Sequence, residues 1–210
     1  MWRCNLSGVV NVLFLVVVVG AEGRRKKYVK NVFYFFSSSR SNKTYQIAPI
    51  NHSLWRIIEI LKETYVIEII RPYYKNKNKE LIKIPKIYFI DNGVRNYFIN
   101  NFNKPRLRDD SGFLFEGIIL SELIKYGHKN IKFWQNKNVQ EVDFILEQQS
   151  KIIPIEVKFK KEIKTSDFTG TNAFINTYKQ TKKTFLVNLN IQKKEKKTFF
   201  IIPYTIGKQI

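Results

Sequence analysis

Two alternating runs decide how this chain reads: Glu141-Val142-Asp143-Phe144-Ile145-Leu146, then Ile152-Ile153-Pro154-Ile155-Glu156-Val157-Lys158. Side chains of a β-strand point to alternate faces, so both runs predict strands. Gln148, Gln149 and Ser150 form a suitable hairpin connection. Alternation in the first strand puts Val142, Phe144 and Leu146 on one face, and Glu141, Asp143 and Ile145 on the other. In the second, Ile153, Ile155, Val157 and Phe159 share a face, and Ile152, Pro154, Glu156 and Lys158 share the opposite one. Pairing the apolar faces brings Asp143, Glu156 and Lys158 together. Two carboxylates beside an ammonium suit a divalent cation with a polarised water. The plain alternative is an open hairpin face whose acids are solvated and pair only weakly with nearby lysines.

Working upstream, a helix is predicted from Asp110 or Ser111 to Gly127, a favourable residue for a helix end. Phe113, Leu120 and Leu123 line one face, and Glu116 sits in the middle of it. Glu122 is rotated away toward solvent. A carboxylate inside an apolar stripe is costly unless it is paired or ligates a cation. Glu116 is therefore the third candidate, against the alternative of a stripe-edge acid that reaches a lysine or water.

Further upstream, Ser53 can cap a helix to about Glu63, with Leu54, Ile57, Ile58 and Leu61 on one face and Arg56 and Lys62 off it. A strand over Tyr65 to Ile70, a turn over Tyr73 to Lys79 and a returning strand over Glu80 to Ile84 follow. Helix then basic hairpin is the second half of a winged helix, which can put a helix in a major groove and a hairpin on phosphates. Arg56, Lys62, Lys75, Lys77 and Lys79 are the candidate nucleic-acid contacts; the alternative is a packing unit with solvated lysines. Next come a strand over Lys86 to Ile90, a short helix over Val94 to Asn101 and a charged loop from Pro105 to Asp110.

Beyond the Glu116 helix lies a strand from Ile131 to Gln135, then the central hairpin. A helix over Ser166 to Tyr178 and strands over Lys183 to Leu189 and Lys197 to Ile202 complete the chain. This order predicts an α/β fold: a mixed β-sheet flanked by helices, preceded by a partial winged-helix segment.

The chain has 210 residues, 44% of them hydrophobic, enough to bury a core. Lys and Arg number 37 against 17 acids, a net charge of +20, so a polyanion is the first partner to expect: nucleic acid, DNA foremost, ahead of a membrane surface. One cysteine excludes an intrachain disulfide and a Cys-based zinc site, and two histidines exclude a His-rich metal site. Val9 to Val19 is apolar except for Asn11 and is flanked by Arg3 and by Arg24-Arg25-Lys26-Lys27. It is shorter than the roughly 18 residues that argue for a spanning helix. A signal-peptide core, a short anchor, a buried strand and a displaced gene start all stay open. Tyr28 to Asn51 has no clean period. The rest of the chain has an intracellular character, so a cytoplasmic location is expected.

Glu116, Glu141-Val142-Asp143 and Ile155-Glu156-Val157-Lys158, in that order on helix and strands, resemble the PD-(D/E)XK nuclease superfamily. More closely, the chain resembles the carboxy-terminal domain of AAA-type ATPases known as domain of unknown function 4143. That resemblance rests on Leu61 to Ile67, Arg71 to Lys77, Pro85 to Gly93, Phe115-Glu116, Glu141 to Phe144 and Ile155 to Lys158, and it spans roughly Ser53 to Ile202. It implies a restriction-endonuclease-like core. It also implies that Asp143 and Glu156 hold Mg²⁺ or Mn²⁺, that Glu116 assists the metal and that Lys158 orients the attacking water. Pro154, two residues before Glu156, departs from the usual pattern and suits an edge or irregular strand. Such ATPases carry a P-loop, and no Gly-x-x-x-x-Gly-Lys-Ser/Thr occurs here, so no ATP is expected and a separate ATPase module is the expected partner. The chain then reads as a truncated relative: a leader over 1–43, a partial winged helix over 44–84 and a nuclease-like domain over 85–210. A non-catalytic interaction module with a relic acidic site is the rival expectation, and a membrane-anchored protein a third.

Overall fold

Residues 142–146 and 152–157 are buried without a break, so the central hairpin is covered on both faces. The computed structural model describes residues 12–19, 29–36, 52–74, 85–148 and 151–210. Strands β1 (Val12–Val19) and β2 (Val29–Phe36) pair antiparallel, Val12 opposite Phe36. Over Val12–Val19 the first apolar run is a strand. No helix among the described residues is long and apolar enough to cross a membrane. β2 lies in a stretch without clean period, where Val29, Val32, Phe33 and Tyr34 supply β-formers instead of alternation.

Helix α1 (His52–Glu63) leads into β3 (Ile67–Pro72), and β4 (Lys86–Phe89) follows. Ile58 of α1 is fully buried against Ile67 and Phe89. β4 is the strand that pairs antiparallel with β3, Ile67 opposite Phe89 and Ile70 opposite Lys86. The returning strand expected over 80–84 lies outside the described residues. Helix α2 (Asn92–Phe98) is capped by Asp91, whose side chain accepts from the Gly93 N–H at 2.6 Å. Helix α3 (Ser111–Lys125) ends as expected: Gly127 takes φ +83°, and the His128 N–H bonds to the Leu123 carbonyl at 3.1 Å.

Strands β5 (Lys132–Gln135), β6 (Glu141–Gln148) and β7 (Lys151–Val157) follow, then α4 (Thr169–Thr177), β8 (Thr184–Val187), β9 (Lys193–Glu195), β10 (Thr198–Ile201) and α5 (Ile206–Gln209). The eight-stranded sheet runs β4-β3-β5-β6-β7-β8-β10-β9. It is mixed: β3–β5, β7–β8 and β8–β10 are parallel, and the other neighbours antiparallel. The fold is thus the expected α/β architecture, a mixed sheet flanked by helices.

Helix α3 covers one face, where Phe115, Ile119, Leu120 and Leu123 meet Phe144, Leu146, Ile153 and Ile155. Helix α4 covers the other, where Phe174 joins Trp134, Val142, Ile145 and Ile152. Burying a side chain of this size contributes roughly 1.5–3 kcal/mol. The start of α4 presses on the head of β6: a Cβ on Gly170 would fall 1.7 Å from the Glu141 carbonyl oxygen.

One expectation about faces needs correction. Strict alternation puts Val142 with Phe144, yet Val142 packs with Ile145 and Phe144 packs on the α3 side. The cause is a β-bulge. Lys132 and Trp134, two apart on β5, oppose Ile145 and Val142, three apart on β6. The extra residue shifts the parity of β6 between Val142 and Ile145, at Asp143 and Phe144.

Candidate functional site

The bulge sits where β6 and β7 part. Their ladder runs from Gln148 opposite Lys151 to Phe144 opposite Ile155, and there it stops. One step further, the Asp143 carboxylate replaces the backbone and accepts the Val157 N–H at 2.8 Å. Asp143 and Glu156 are both nearly buried, 7% and 5% exposed, so neither is the solvated acid of an open hairpin. Lys158 donates to Glu156 Oε1, and its own backbone N–H is fixed to the Val187 carbonyl at 2.8 Å. Beyond it, Lys160 Nζ bonds Asp167 at 2.6 Å, which ties the chain after β7 to the turn before α4.

Glu116 arrives from α3. Its Oε2 accepts from the Tyr88 hydroxyl at 2.7 Å and lies 4.0 Å from Lys86 Nζ. Lys86 in turn donates to Glu141 Oε1, and Gln135 Nε2 donates to Glu141 Oε2 at 3.1 Å. Tyr88 stacks on Phe113 at 4.9 Å, which fixes its ring. The four candidates Glu116, Asp143, Glu156 and Lys158 lie near enough to act on one another's charge, with Glu141, Lys86 and Tyr88 beside them. Lys86 and Tyr88 lie in the Pro85 to Gly93 stretch of the resemblance but are not among the site candidates; they alternate in β4 with Ile87 and Phe89, so period two would have put both on one face.

Four carboxyl groups share two lysines here, and the electrostatics show the imbalance. Burial, then the Asp143 charge, pushes Glu116 up to about 7, although Lys86 and Tyr88 pull it down. Glu156 is raised well above the carboxylate range by burial and then by Asp143, against the pull of Lys158. Burial pulls Lys158 down, but Glu156 and Asp143 outweigh it and hold the amine above its ordinary range. Lys86 follows the same logic, with Tyr88, Glu141, Glu116 and Asp143 outweighing its burial. Like charges packed in low dielectric disfavour full ionisation, which is the usual preparation for a cation or for proton transfer.

The donor chemistry fits a hard cation. Asp143 and Glu156 offer oxygens only, and Glu156 Oε2 is buried with no hydrogen-bond partner. Among the described residues no group of three or more His, Cys, Asp or Glu side chains is gathered closely enough to cage a metal. The arrangement suits an ion such as Mg²⁺, which takes one or two carboxylates and keeps several waters.

The candidate nucleic-acid contacts are more scattered. Arg56 and Lys62 are exposed on α1, and Lys62 Nζ lies 3.8 Å from Glu68 of β3. Lys75, Lys77 and Lys79 lie outside the described residues.

Residues 111–206 match the family model described as a domain of unknown function (DUF4143). Residues 43–105 match a second, described as a domain of unknown function (DUF8612). The resemblance expected over 53–202 is thus met from α3 to the start of α5, while α1, β3, β4 and α2 fall under the second description. No curated protein and no solved structure matches the chain.

Proposed function

We propose that this chain is a DNA-binding, nuclease-like domain with metal-dependent phosphodiesterase chemistry at the Asp143 cluster. It would act with a separate AAA-type ATPase module in the cytoplasm. The observation that carries the reading is the convergence of Glu116, Asp143, Glu156 and Lys158, from one helix and two strands, on a cluster with more carboxylates than cations. The order of these residues resembles the PD-(D/E)XK pattern, and the net charge of +20 supplies attraction to a phosphate backbone.

In this reading Asp143 and Glu156 would hold Mg²⁺ or Mn²⁺, and Glu116, held by the Tyr88 hydroxyl, would assist. The bound ion would lower the pKa of a coordinated water and stabilise charge developing on the phosphate. Lys158, anchored through its backbone to β8, would orient that water or neutralise the phosphate. Asp143 also ties β6 to β7 where their ladder stops, by accepting the Val157 N–H. Arg56 and Lys62 on α1, with Lys75, Lys77 and Lys79 further along the chain, would place the duplex by its phosphates.

A second reading has its own observation. Lys158 is already engaged by Glu156 and Lys86 by Glu141, so the cluster is partly neutralised from within. A non-catalytic interaction module would look the same. One assay separates the two: purified chain with labelled linear, branched and single-stranded DNA, in Mn²⁺, Mg²⁺ or chelator, beside Lys158→Ala and Asp143→Ala. Cleavage that needs metal and disappears in both variants supports the enzyme. Binding without cleavage, unchanged in both, supports the module.

A further inference from the structure

β7, β8 and β10 are parallel neighbours, so their first residues stand at one end of the sheet. Each start carries lysine. Lys151 opens β7, Lys182 and Lys183 precede β8, and Lys196 and Lys197 precede β10. Register sets Thr198 opposite Thr184, which brings Lys197 level with Lys183. The antiparallel β9 adds Lys194, opposite Phe199. The one acid of this strand, Glu195, is taken by Lys193 at 2.5 Å.

Packing explains Lys183, which donates to the Gln209 carbonyl at 2.9 Å, but not the exposed lysines around it. Lys151, Lys182, Lys194, Lys196 and Lys197 are exposed. Lys183 spreads over Phe185 and Phe199, 4.4 and 4.9 Å from the ring centroids, and Lys194 over Phe199 at 5.1 Å. Lys183 has a lowered pKa, first through burial and then through repulsion by Lys151 and Lys194. Lysines on an edge strand also discourage edge-to-edge pairing, but that accounts only for β9, since the others crown strand ends. A cluster that repels itself is stabilised by an anion.

We infer that this lysine rim is a second nucleic-acid contact, a sequence-independent seat for the phosphate backbone at the end of the sheet away from the Asp143 cluster. It rests on the reading of the chain as DNA-binding. Lys151 and Glu156 are the two ends of one strand, roughly 17 Å apart at about 3.3 Å per residue. The rim therefore holds a stretch of backbone other than the one at the cluster. The choice of residue points to phosphate. From Lys151 onward the chain has no arginine. Protein interfaces are enriched in Arg and depleted in Lys, whereas lysine serves phosphate as a point charge. A membrane surface would call for exposed apolar side chains to insert. Here Phe185 and Phe200 are buried and the half-buried Phe199 lies under lysines.

The test is a salt titration of the full chain on a short labelled DNA duplex in chelator. It compares the wild type with a rim variant, Lys151→Gln with Lys182→Gln and Lys197→Gln. A charge-matched control carries Lys104→Gln, Arg106→Gln and Lys129→Gln, all exposed and off the rim. Thermal melts confirm that all three proteins fold alike. The slope of log K against log salt becomes shallower by nearly 3 in the rim variant, about 0.9 for each phosphate that is no longer neutralised, and changes far less in the control. Equal changes in rim and control variants would overturn the rim and leave DNA binding by the chain intact. No duplex binding by the wild type would overturn both readings. Binding of phosphatidylserine vesicles in place of duplex, abolished in the rim variant, would make the rim a membrane contact and overturn the inference.

Discussion

Asp110 and Asp143 are both buried aspartates, and they live in opposite circumstances. Asp110, just ahead of α3, is held by two guanidinium groups. Arg108 grips it with Nε on Oδ1 and Nη2 on Oδ2, both at 2.7 Å, and Arg95 Nη1 lies 2.7 Å from Oδ2. Arg108 spends its remaining nitrogen on Asn96 and the Asn101 carbonyl, at 2.8 and 2.7 Å. Burial would raise Asp110, yet the bonds and charges of Arg108 and Arg95 hold it below the ordinary carboxylate range. Around Asp143 the ratio is reversed, with four carboxyl groups to two lysines. At Asp110 one carboxylate is held by two guanidinium groups, with Arg95 Nε buried and without a hydrogen-bond partner, and that grip specifies structure. At Asp143 the cluster is open, with buried carboxylates in surplus, and surplus negative charge is what a cation can complete. The two clusters even touch: Arg95 sits 5.0 Å from the Phe113 ring, which stacks on Tyr88, the donor to Glu116.

The contrast can be broken most severely at Asp110. Asp110→Ala strands two buried guanidinium groups, and unfolding by denaturant is expected to show a loss of about 3–5 kcal/mol. The same truncation in the open cluster does far less damage.

A second difference lies in pH. Glu116 has its folded pKa raised from 4.5 to about 7, so the native state holds more protons than the unfolded chain in that window. In chelator its contribution to stability is therefore lost as pH rises from about 4.5 to 7, by up to roughly 3 kcal/mol, and Glu116→Gln removes this share while leaving the dependence of the same sign that the raised Glu156 contributes. Asp110 has the opposite sign. Its folded pKa is depressed, so its contribution is complete above the unfolded value near 3.9 and is lost as pH falls through the folded one; Asp110→Asn abolishes that acid limb.

A smaller effect sharpens the comparison from the other side. Asp143→Asn keeps an acceptor for the Val157 N–H and removes the charge that raises Glu116 and Glu156. In chelator the variant is expected to gain about 1 kcal/mol in a thermal melt. Adding Mg²⁺ then stabilises the wild type by mass action and not the variant; equal shifts in both would count against a cation at Asp143. At the bottom of the scale, Lys125→Ala breaks the exposed pair with Glu122 on α3 and should leave the melting temperature unchanged.

Much of this architecture was legible in residue order. The alternating runs of β6 and β7, the apolar helix α3 with its terminal Gly127 and the placement of Asp143, Glu156 and Lys158 follow from periodicity. The facing of Asp143 did not, because alternation assumes an unbroken ladder and the bulge arises from pairing with β5. Lys86 and Tyr88 stayed hidden for a different reason. They reach Glu141 and Glu116 across 55 and 28 residues of chain, and nothing local marks a lysine for a distant carboxylate. Arg108 and Asp110 were legible only as a charged loop. Their burial comes from α2, which brings Arg95 and Asn96 to them. The lysines at the strand starts read as scattered charge until parallel pairing lines those starts up.

Gly170 adds a consequence for inheritance. It bears no charge and touches no candidate ligand, yet any side chain there would collide with the Glu141 carbonyl and lift α4 from the strand that leads into Asp143. To a gene accumulating random changes, codon 170 is as closed as codon 143. A screen for lost function would recover both, and only the first would also lose its fold.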